Sequence, residues 1–332
     1  MNGHKIRWGI LGCGRIARKF ASDLRLVSDA ELTAVASRNK ETLEQFIKEY
    51  PCDRAHNDYE SLAADNQVDV IYIATPHSHH HEHTMLCLNH NKAVLCEKAF
   101  AINSRQANDM INLARARKVF LMEALWTKFL PHYKKLQELL HQQTLGEIKS
   151  VLVNFGFKTS SASPPRLFDP LLGGGTLLDI GIYNVFITIS VLGKPDVIEA
   201  IMTPASTGVD EQVSVLFKYN NGAMAQLFSS FATNLPIQAE INGTEGCITL
   251  TPRFYEPSAT IQLSRKIPYE REIITVNKEN GFGYQYEASH VNECLKKGRT
   301  ESPVMTHSDT LMLMEILDTI RMKAGIKYPA DL

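Results

Sequence analysis

The stretch IATPHSHHHEHTM (73–85) carries five histidines: His77, His79, His80, His81 and His83. Imidazoles at this density suit either metal ligation or hydrogen-bonding and proton-transfer work beside a bound small molecule. If the chain is helical from Ser78 or His79 to about Leu88, His79 and His83 are i,i+4 neighbours, a spacing a zinc pair could use. A catalytic zinc needs a third ligand, and the sequence has neither an HExxH nor a CxxC motif. No metal is therefore expected, and a zinc hydrolase ranks last among the readings. His81 and His83 are expected to be surface or helix-start residues. His77 and His80 are expected to make contacts at a ligand.

Other reactive groups fall just past apolar runs. LCEKA places Glu97 and Lys98 after one such run, and EALWTKF places Trp126 and Phe129 after another. Further on, GGGTLLDIGIYN opens a helical pattern in which Asp179 and Tyr183 are i,i+4 and share one face. A tyrosine, whose phenol ordinarily titrates near ~10, is a poor base at neutral pH. A nearby ammonium such as that of Lys98 would lower that value and could orient a substrate hydroxyl. Each residue alone also has a plain structural role open to it: a salt-bridged lysine, a helix-capping aspartate, a core tyrosine.

The elements that must position these groups follow from periodicity. Strand and helix alternate over the first ~125 residues: strands at 6–11, 32–37, 68–74, 92–97 and 119–124, helices at 15–26, 41–50 and 104–117. VDVIYIA (68–74) is apolar almost throughout, as a strand buried on both faces would be. Such alternation implies a parallel sheet with right-handed crossovers. After about residue 146 the rhythm changes. A strand at 148–157 and a helix from about 174 to 192 precede strand-like runs at 197–203, 211–218, 223–231, 236–242, 246–251, 260–265 and 270–276, and helices at 283–297 and 307–324 close the chain. The predicted fold class is α/β: an N-terminal domain (1–125) with a parallel sheet, then an α+β domain (126–332) with a large, mainly antiparallel sheet. The last helix could return to the first domain. No periodicity dictates a conformation for KTSSASPPRLFDPLL (158–172).

GCGRIA follows the first strand directly and opens the first helix. In that setting Gly12 allows the tight turn, Gly14 lets a pyrophosphate approach the backbone, and Ala17 lets helix and strand pack closely. The helix N-terminus then offers free N–H groups and partial positive charge to phosphates. NAD-binding versions of this unit carry an acidic residue at the end of the second strand, where this chain has Ser37-Arg38-Asn39-Lys40. Ser37 and Arg38 can bond a 2′-phosphate that a carboxylate would repel. NADP is favoured, with NAD as the alternative. The ligand-contacting end of 73–85, Thr75, Pro76 and His77 with His80, would then lie near the nicotinamide, since ligands bind beyond the carboxyl ends of such strands.

Composition excludes several classes. Of 332 residues, 44% are hydrophobic and 21% charged, and the formal net charge is −1, which suits an ordinary globular chain and gives no electrostatic footprint for nucleic acid or an anionic membrane. The N-terminus has no signal-peptide pattern, and no apolar run is read as approaching the ~20 residues that span a bilayer. Cys13, Cys52, Cys87, Cys96, Cys247 and Cys294 are scattered, as free thiols in a reducing cytoplasm would be. The apolar content of 197–276 exceeds what one covering helix would bury, so a homodimer or a higher symmetric oligomer is expected.

Taken together, GILGCGRIA, YIATPHSHH, CEKA, GGGTLLDIGIYN and INGTEGCITL resemble the glucose–fructose oxidoreductase / inositol dehydrogenase (Gfo/Idh/MocA) family over essentially the whole chain. MEALWTKFLP and Tyr183 look most like its dihydrodiol dehydrogenase / NADP-dependent D-xylose dehydrogenase branch. The resemblance implies a Rossmann domain followed by a domain whose open antiparallel sheet commonly forms the oligomer interface. It places Cys13, Arg15, Ile16 and Glu97 with the cofactor. The family's catalytic lysine falls on Lys98, its acid–base residue on Tyr183 and its aspartate on Asp179, while Trp126 and Phe155 would wall the substrate pocket. The family's EKP motif is here Glu97-Lys98-Ala99; without proline a cis bond after Lys98 would cost ~2.5–4 kcal/mol. The implied activity is hydride transfer between NADP and a hydroxyl-bearing carbon of an aldose or cyclic diol. The alternative is a non-enzymatic NADP- or sugar-sensing regulator of the same family, against which the retention of both Lys98 and Tyr183 argues.

Overall fold

A computed structural model describes residues 5–159, 165–265 and 271–331. Residues 160–164 of the 158–172 loop, and residue 270 of the strand expected at 270–276, lie outside the described residues.

The chain forms two units. One runs to Phe129 and takes in Glu279–Leu311; the other comprises Leu130–Lys278 and the residues from Met312 onward. The division expected from sequence is 1–125 and 126–332; in the structure Glu279–Leu311 groups with the first unit. The element that returns to the first unit is chiefly the penultimate helix, not the last one alone.

In the first unit, strands β1 (Ile6–Leu11), β2 (Ala30–Ala36), β3 (Arg54–His56), β4 (Val70–Ile73), β5 (Ala93–Glu97) and β6 (Leu121–Ala124) form one sheet in the order β3-β2-β1-β4-β5-β6. Every pairing in it is parallel. All residues of β4, β5 and β6 are buried, as continuous apolar runs in a doubly covered sheet require. Helices α1 (Arg15–Leu24), α2 (Lys40–Glu49), α3 (Tyr59–Ala63), α4 (His80–Asn89) and α5 (Ser104–Arg117) make the crossovers. Strand β3 and helix α3 are not expected from sequence; at three and five residues they are too short for a period to register.

The returning helix α8 (Tyr284–Lys296) packs on α1. Its N-terminus is held by Asp23 of α1, whose carboxylate accepts from the backbone N–H groups of Phe282, Gly283 and Tyr284 at 2.8–2.9 Å. Asn292 accepts a 3.0 Å bond from the indole of Trp8 in β1. These partners lie more than 250 residues apart, and no local pattern announces them.

The second unit is built on eight strands: β7 (Ile148–Gly156), β8 (Val197–Pro204), β9 (Asp210–Lys218), β10 (Met224–Ser230), β11 (Gln238–Gly243), β12 (Cys247–Thr251), β13 (Thr260–Ser264) and β14 (Arg271–Ile274). Their order is β14-β13-β12-β11-β7-β10-β9-β8, antiparallel except for the β7–β10 pair. Helix α6 (Pro131–His141) is an addition to the elements expected from periodicity, although proline at its first turn and Tyr133, Leu136 and Leu139 along one side give a usable signal. Helix α7 (Ile182–Leu192) packs on β7 and β10. Helix α9 (His307–Ala324) completes the chain's long elements.

Opposed residues on neighbouring strands point to one face. Register places Leu216, Gln226, Leu152, Glu240, Thr249, Gln262 and Ile273 in one such row across seven strands. Leu152, Leu216 and Ile273 are exposed, as are Val197, Ile201 and Met224, with Ile201 at 74% and Ile273 at 66%. One face of this sheet thus carries exposed apolar side chains among polar ones and is open within the chain.

One sequence expectation about membranes needs correction. Pro170–Leu192 is long and apolar enough, by length and composition alone, to cross a bilayer, but it is mostly buried within the protein. It is a core segment: packing against the sheet, not lipid, accounts for its apolarity.

Candidate active site

In the first unit the glycine turn follows the expected logic. Gly12 has φ +95°, and a Cβ there would meet Thr75 Cγ2 at 3.0 Å and the Ala74 carbonyl at 3.2 Å. A side chain would suffer both left-handed strain and collision with the end of β4. Gly14 caps α1 without any side-chain hydrogen bond, and a Cβ built on it meets nothing within 4 Å. That is the space a pyrophosphate needs above uncapped helix N–H groups, and Ala17 is fully buried behind it. A dinucleotide fits this turn. Arg15 and Ile16 form the first turn of α1, and Cys13 is buried, its thiol pushed up to about 12 by burial.

At the end of β2, Ser37 is buried and its hydroxyl accepts the Asn39 N–H at 3.2 Å. Arg38 is exposed, with its guanidinium 5.2 Å from the centre of the Tyr59 ring. Tyr59 in turn meets His83 edge-on at 4.7 Å. The cap of α2 is the Asn39 side chain, bonded to Thr42 N, so Arg38 is not required as that cap.

The histidines meet in pairs: the rings of His77 and His80 lie 5.7 Å apart, and those of His79 and His83 5.5 Å apart. His77 is buried in a 3-10 turn after Pro76. His80 is fully buried, its ring nitrogens 2.7 Å from the Ala99 carbonyl and 2.8 Å from that of Thr75. It joins the rim after β4 to the residue after Lys98. His83, expected at the surface, is buried: its Nδ1 lies 3.0 Å from Thr75 Oγ1, and burial with neighbouring positive charge holds its pKa down at about 3. His81 lies 3.5 Å from Asp109. Among the described residues no group of three or more His, Cys, Asp or Glu side chains could hold a metal ion.

Glu97 ends β5 in the core. One carboxylate oxygen accepts from the Tyr72 hydroxyl and the other from Lys98 N–H at 3.2 Å. The Lys98–Ala99 peptide is cis despite the alanine. Trp126 is buried, and its ring stacks on Tyr284 of α8 at 4.6 Å and 7°.

In the second unit the glycine-opened helix is not regular. Leu177–Gly181 is a π-helical turn that leads into α7. Asp179 stands in the π turn and Tyr183 in the first turn of α7, which revises the plain i,i+4 reading. Such turns gather at functional sites. Asp179 accepts a 3.2 Å bond from Arg166, in the loop for which the sequence offers no conformation. Tyr183 is buried beside two rings: Phe155 of β7 at 6.0 Å and Tyr255 at 4.8 Å. Phe155 and Tyr255 themselves stack at 4.5 Å and 24°. Burial pushes the Tyr255 phenol well up from its usual value, so it stays protonated.

Sequence reasoning missed Tyr255, Arg166, Tyr284 and Tyr59. None lies on a periodic element beside a recognised motif; each arrives by packing. The separate halves thus consist of a dinucleotide turn with Lys98 and Trp126 in one unit, and an aspartate–tyrosine pair with aromatic walls in the other.

Residues 6–125 match the oxidoreductase family with an NAD-binding Rossmann fold, and residues 133–249 match the GFO/IDH/MocA C-terminal domain. Similar proteins include trans-1,2-dihydrobenzene-1,2-diol dehydrogenase of Sus scrofa, 37% identical over 98% of this chain and 99% of that one. The enzyme of the same name from Xenopus laevis is 38% identical over 97% and 99%. Among solved structures, aldose-aldose oxidoreductase from Caulobacter crescentus shares the fold, with a TM-score of 0.88 at 22% identity over 97% and 98% of the two chains. A 3-ketoreductase from Actinomadura kijaniata, in complex with TDP-benzene and NADP in an open conformation, gives 0.84 at 25% identity over the same shares.

Proposed function

We propose that this chain, which belongs to the GFO/IDH/MocA oxidoreductase family, transfers a hydride between NADP and a hydroxyl-bearing carbon of a cyclic diol or an aldose. The observation that carries the substrate class is the setting of Tyr183: a phenol flanked by the faces of Phe155 and Tyr255, with the Asp179–Arg166 pair on the same segment. Apolar ring faces beside polar groups suit a ring or sugar with hydroxyls. The dehydrogenases of 37–38% identity act, by name, on a cyclic diol, which supports that choice.

NADP is preferred to NAD because Ser37 and Arg38 stand where a ribose-binding carboxylate would. The NADP-bound ketoreductase at 25% identity supports the same assignment. Gly12, Cys13, Gly14, Arg15 and Ile16 cradle the pyrophosphate, and Thr75, Pro76, His77, His80 and Glu97 frame the nicotinamide side. Bound NADP supplies the hydride acceptor or donor.

Lys98 and Tyr183 form the proton-transfer pair. In the oxidative direction the C–H hydrogen leaves with its electron pair, the hydroxyl proton passes to the Tyr183 oxygen, and a carbonyl forms. The Lys98 ammonium favours the phenolate that accepts this proton. Asp179 orients the phenol or the substrate, and Trp126 and Phe155 exclude water from the apolar side. The domains correspond to cofactor binding and to substrate binding with oligomerisation. The open sheet face pairs two copies in a homodimer, and the protein works in the cytoplasm.

A panel of aldoses and cyclic diols, assayed with NADP and with NAD by reduced-nicotinamide absorbance, tests this reading. Turnover faster with NADP on at least one class is expected. NADP binding without turnover on any member would instead point to a sensor.

A further inference from the structure

The GGGT run that opens the π turn is gripped from both sides. On one side, Gly174 and Gly175 donate their N–H groups to the carbonyls of Asp169 and Leu167, at 2.9 and 2.8 Å. A Cβ on Gly174 would strike that segment's backbone, 2.7 Å from the Leu167 carbonyl. On the other side stands Asp210, the first residue of β9 and fully buried. Its Oδ2 accepts from the Thr176 hydroxyl at 2.8 Å and from Leu177 N–H at 2.6 Å. Its Oδ1 has no hydrogen-bond partner among the described residues, and it lies against Gly175, φ +112°, where any Cβ would collide with it. Tyr328 closes the grip by donating to the Gly174 carbonyl at 2.7 Å.

We propose that Asp210 is the positioning residue of the Asp179–Tyr183 segment: its buried carboxylate fixes where the π turn begins, and so where both side chains stand. The proposal rests on the reading of Asp179 and Tyr183 as working residues. Thr176 and Leu177 are the last residue before the π turn and its first residue. A shift there carries straight to Asp179 and, one turn on, to Tyr183. A neutral side chain could bond the same two donors without burying a charge. The carboxylate form makes those bonds charge-assisted, hence shorter and more directional.

The grip is also pH-sensitive. Burial raises the Asp210 pKa to about 6, against the lowering effect of the Leu177 and Thr176 bonds. The ionisable group that feels Asp210 from the opposing segment is the Tyr328 phenol, pushed up mainly by burial and then by Asp210; Arg321, Asp331 and Asp179 also act on Tyr328. Below about pH 6 the carboxyl becomes neutral, and the two bonds to the π turn weaken.

Two arms on the full chain test this. In the kinetic arm, Asp210→Asn should lower kcat roughly 10- to 100-fold, the scale of a displacement under about 1 Å. The KM for NADP should stay within about twofold, because the cofactor turn belongs to the other unit. Wild type should lose kcat on an acid limb near pH 6, and Asp210→Asn should lack that limb. Thr176→Val, which removes only one donor, should lower kcat less and keep the limb. In the second arm, hydrogen exchange of residues 176–183 at neutral pH should show protection in wild type that Asp210→Asn lacks. An Asp210→Asn enzyme with more than about half the wild-type kcat and the acid limb intact would overturn the proposal. So would exchange protection unchanged by the substitution. If wild type turns over nothing, the function proposed above fails, while the exchange arm still decides whether Asp210 holds the segment.

Discussion

Glu123 lies in β6, 1% exposed, opposite Cys96 of β5. Neither of its oxygens makes a well-formed hydrogen bond among the described residues. Burial drives its pKa from 4.5 to about 7, and the counteracting pull of Thr310, the Phe100 backbone and Lys128 is smaller. The folded-state value is raised, so the unfolded chain releases this proton first. The folding penalty is absent below about pH 4.5, grows between pH 4.5 and 7, and is full above pH 7. A shift of about 2.5 units at ~1.4 kcal/mol each gives a penalty on the order of 3 kcal/mol. Glu123→Gln keeps the shape and removes the charge. Whatever the amide costs in lost bonds is independent of pH, so the quantity to measure is the change with pH. Relative to wild type, the variant should gain about 2.5 kcal/mol in unfolding free energy between pH 5 and pH 8, since part of the penalty is already present at pH 5. Urea unfolding of both proteins at pH 5, 6, 7 and 8 provides it, and other titrating groups, Asp210 included, cancel in the difference. A wild-type-minus-variant difference flat to within ~0.5 kcal/mol across that range would show that Glu123 ionises in the folded protein as it does in the unfolded chain and that the burial argument is wrong.

Four shorter predictions concern function. Arg38→Asp should weaken NADP binding far more than NAD binding in calorimetric titrations; equal losses would remove Arg38 from cofactor choice. Tyr183→Phe should cut kcat by roughly 10²–10⁴ with cofactor affinity nearly unchanged, and combining it with Lys98→Met should cost far less than the product of the single losses. A Tyr183→Phe enzyme at more than half its rate, with hydride transfer limiting, ends that assignment. Ile201→Asp, on the open sheet face, should convert the dimer to monomer by light scattering at micromolar concentration, and a wild-type monomer would refute the pairing. Protein purified without a histidine tag should hold far less than one zinc per chain and keep its activity after EDTA dialysis; activity lost on chelation and restored by zinc would overturn the mechanism.

Much of the first unit was legible because its cues are local. An apolar run such as 68–74 is a central strand whatever surrounds it, and the structure places β4 inside it, at Val70–Ile73. GCGRIA between strand and helix constrains its own backbone, and Gly12 adopts the positive φ that the motif implies. The order of the long elements in the second unit followed for the same reason. Tertiary structure decided what depends on partners far along the chain. Asp23 captures the start of α8 some 260 positions later, so a segment assigned to the second domain completes the first. Tyr59, close in space but placed by packing, draws His83 into the interior. The glycines of GGGT announced a tight backbone. That they face Asp210 and Tyr328, and that Tyr183 stands beside Tyr255, depends on which strands pair and which loops fold over them. Periodicity records which face of an element is buried; it holds no information about the distant residue that covers it.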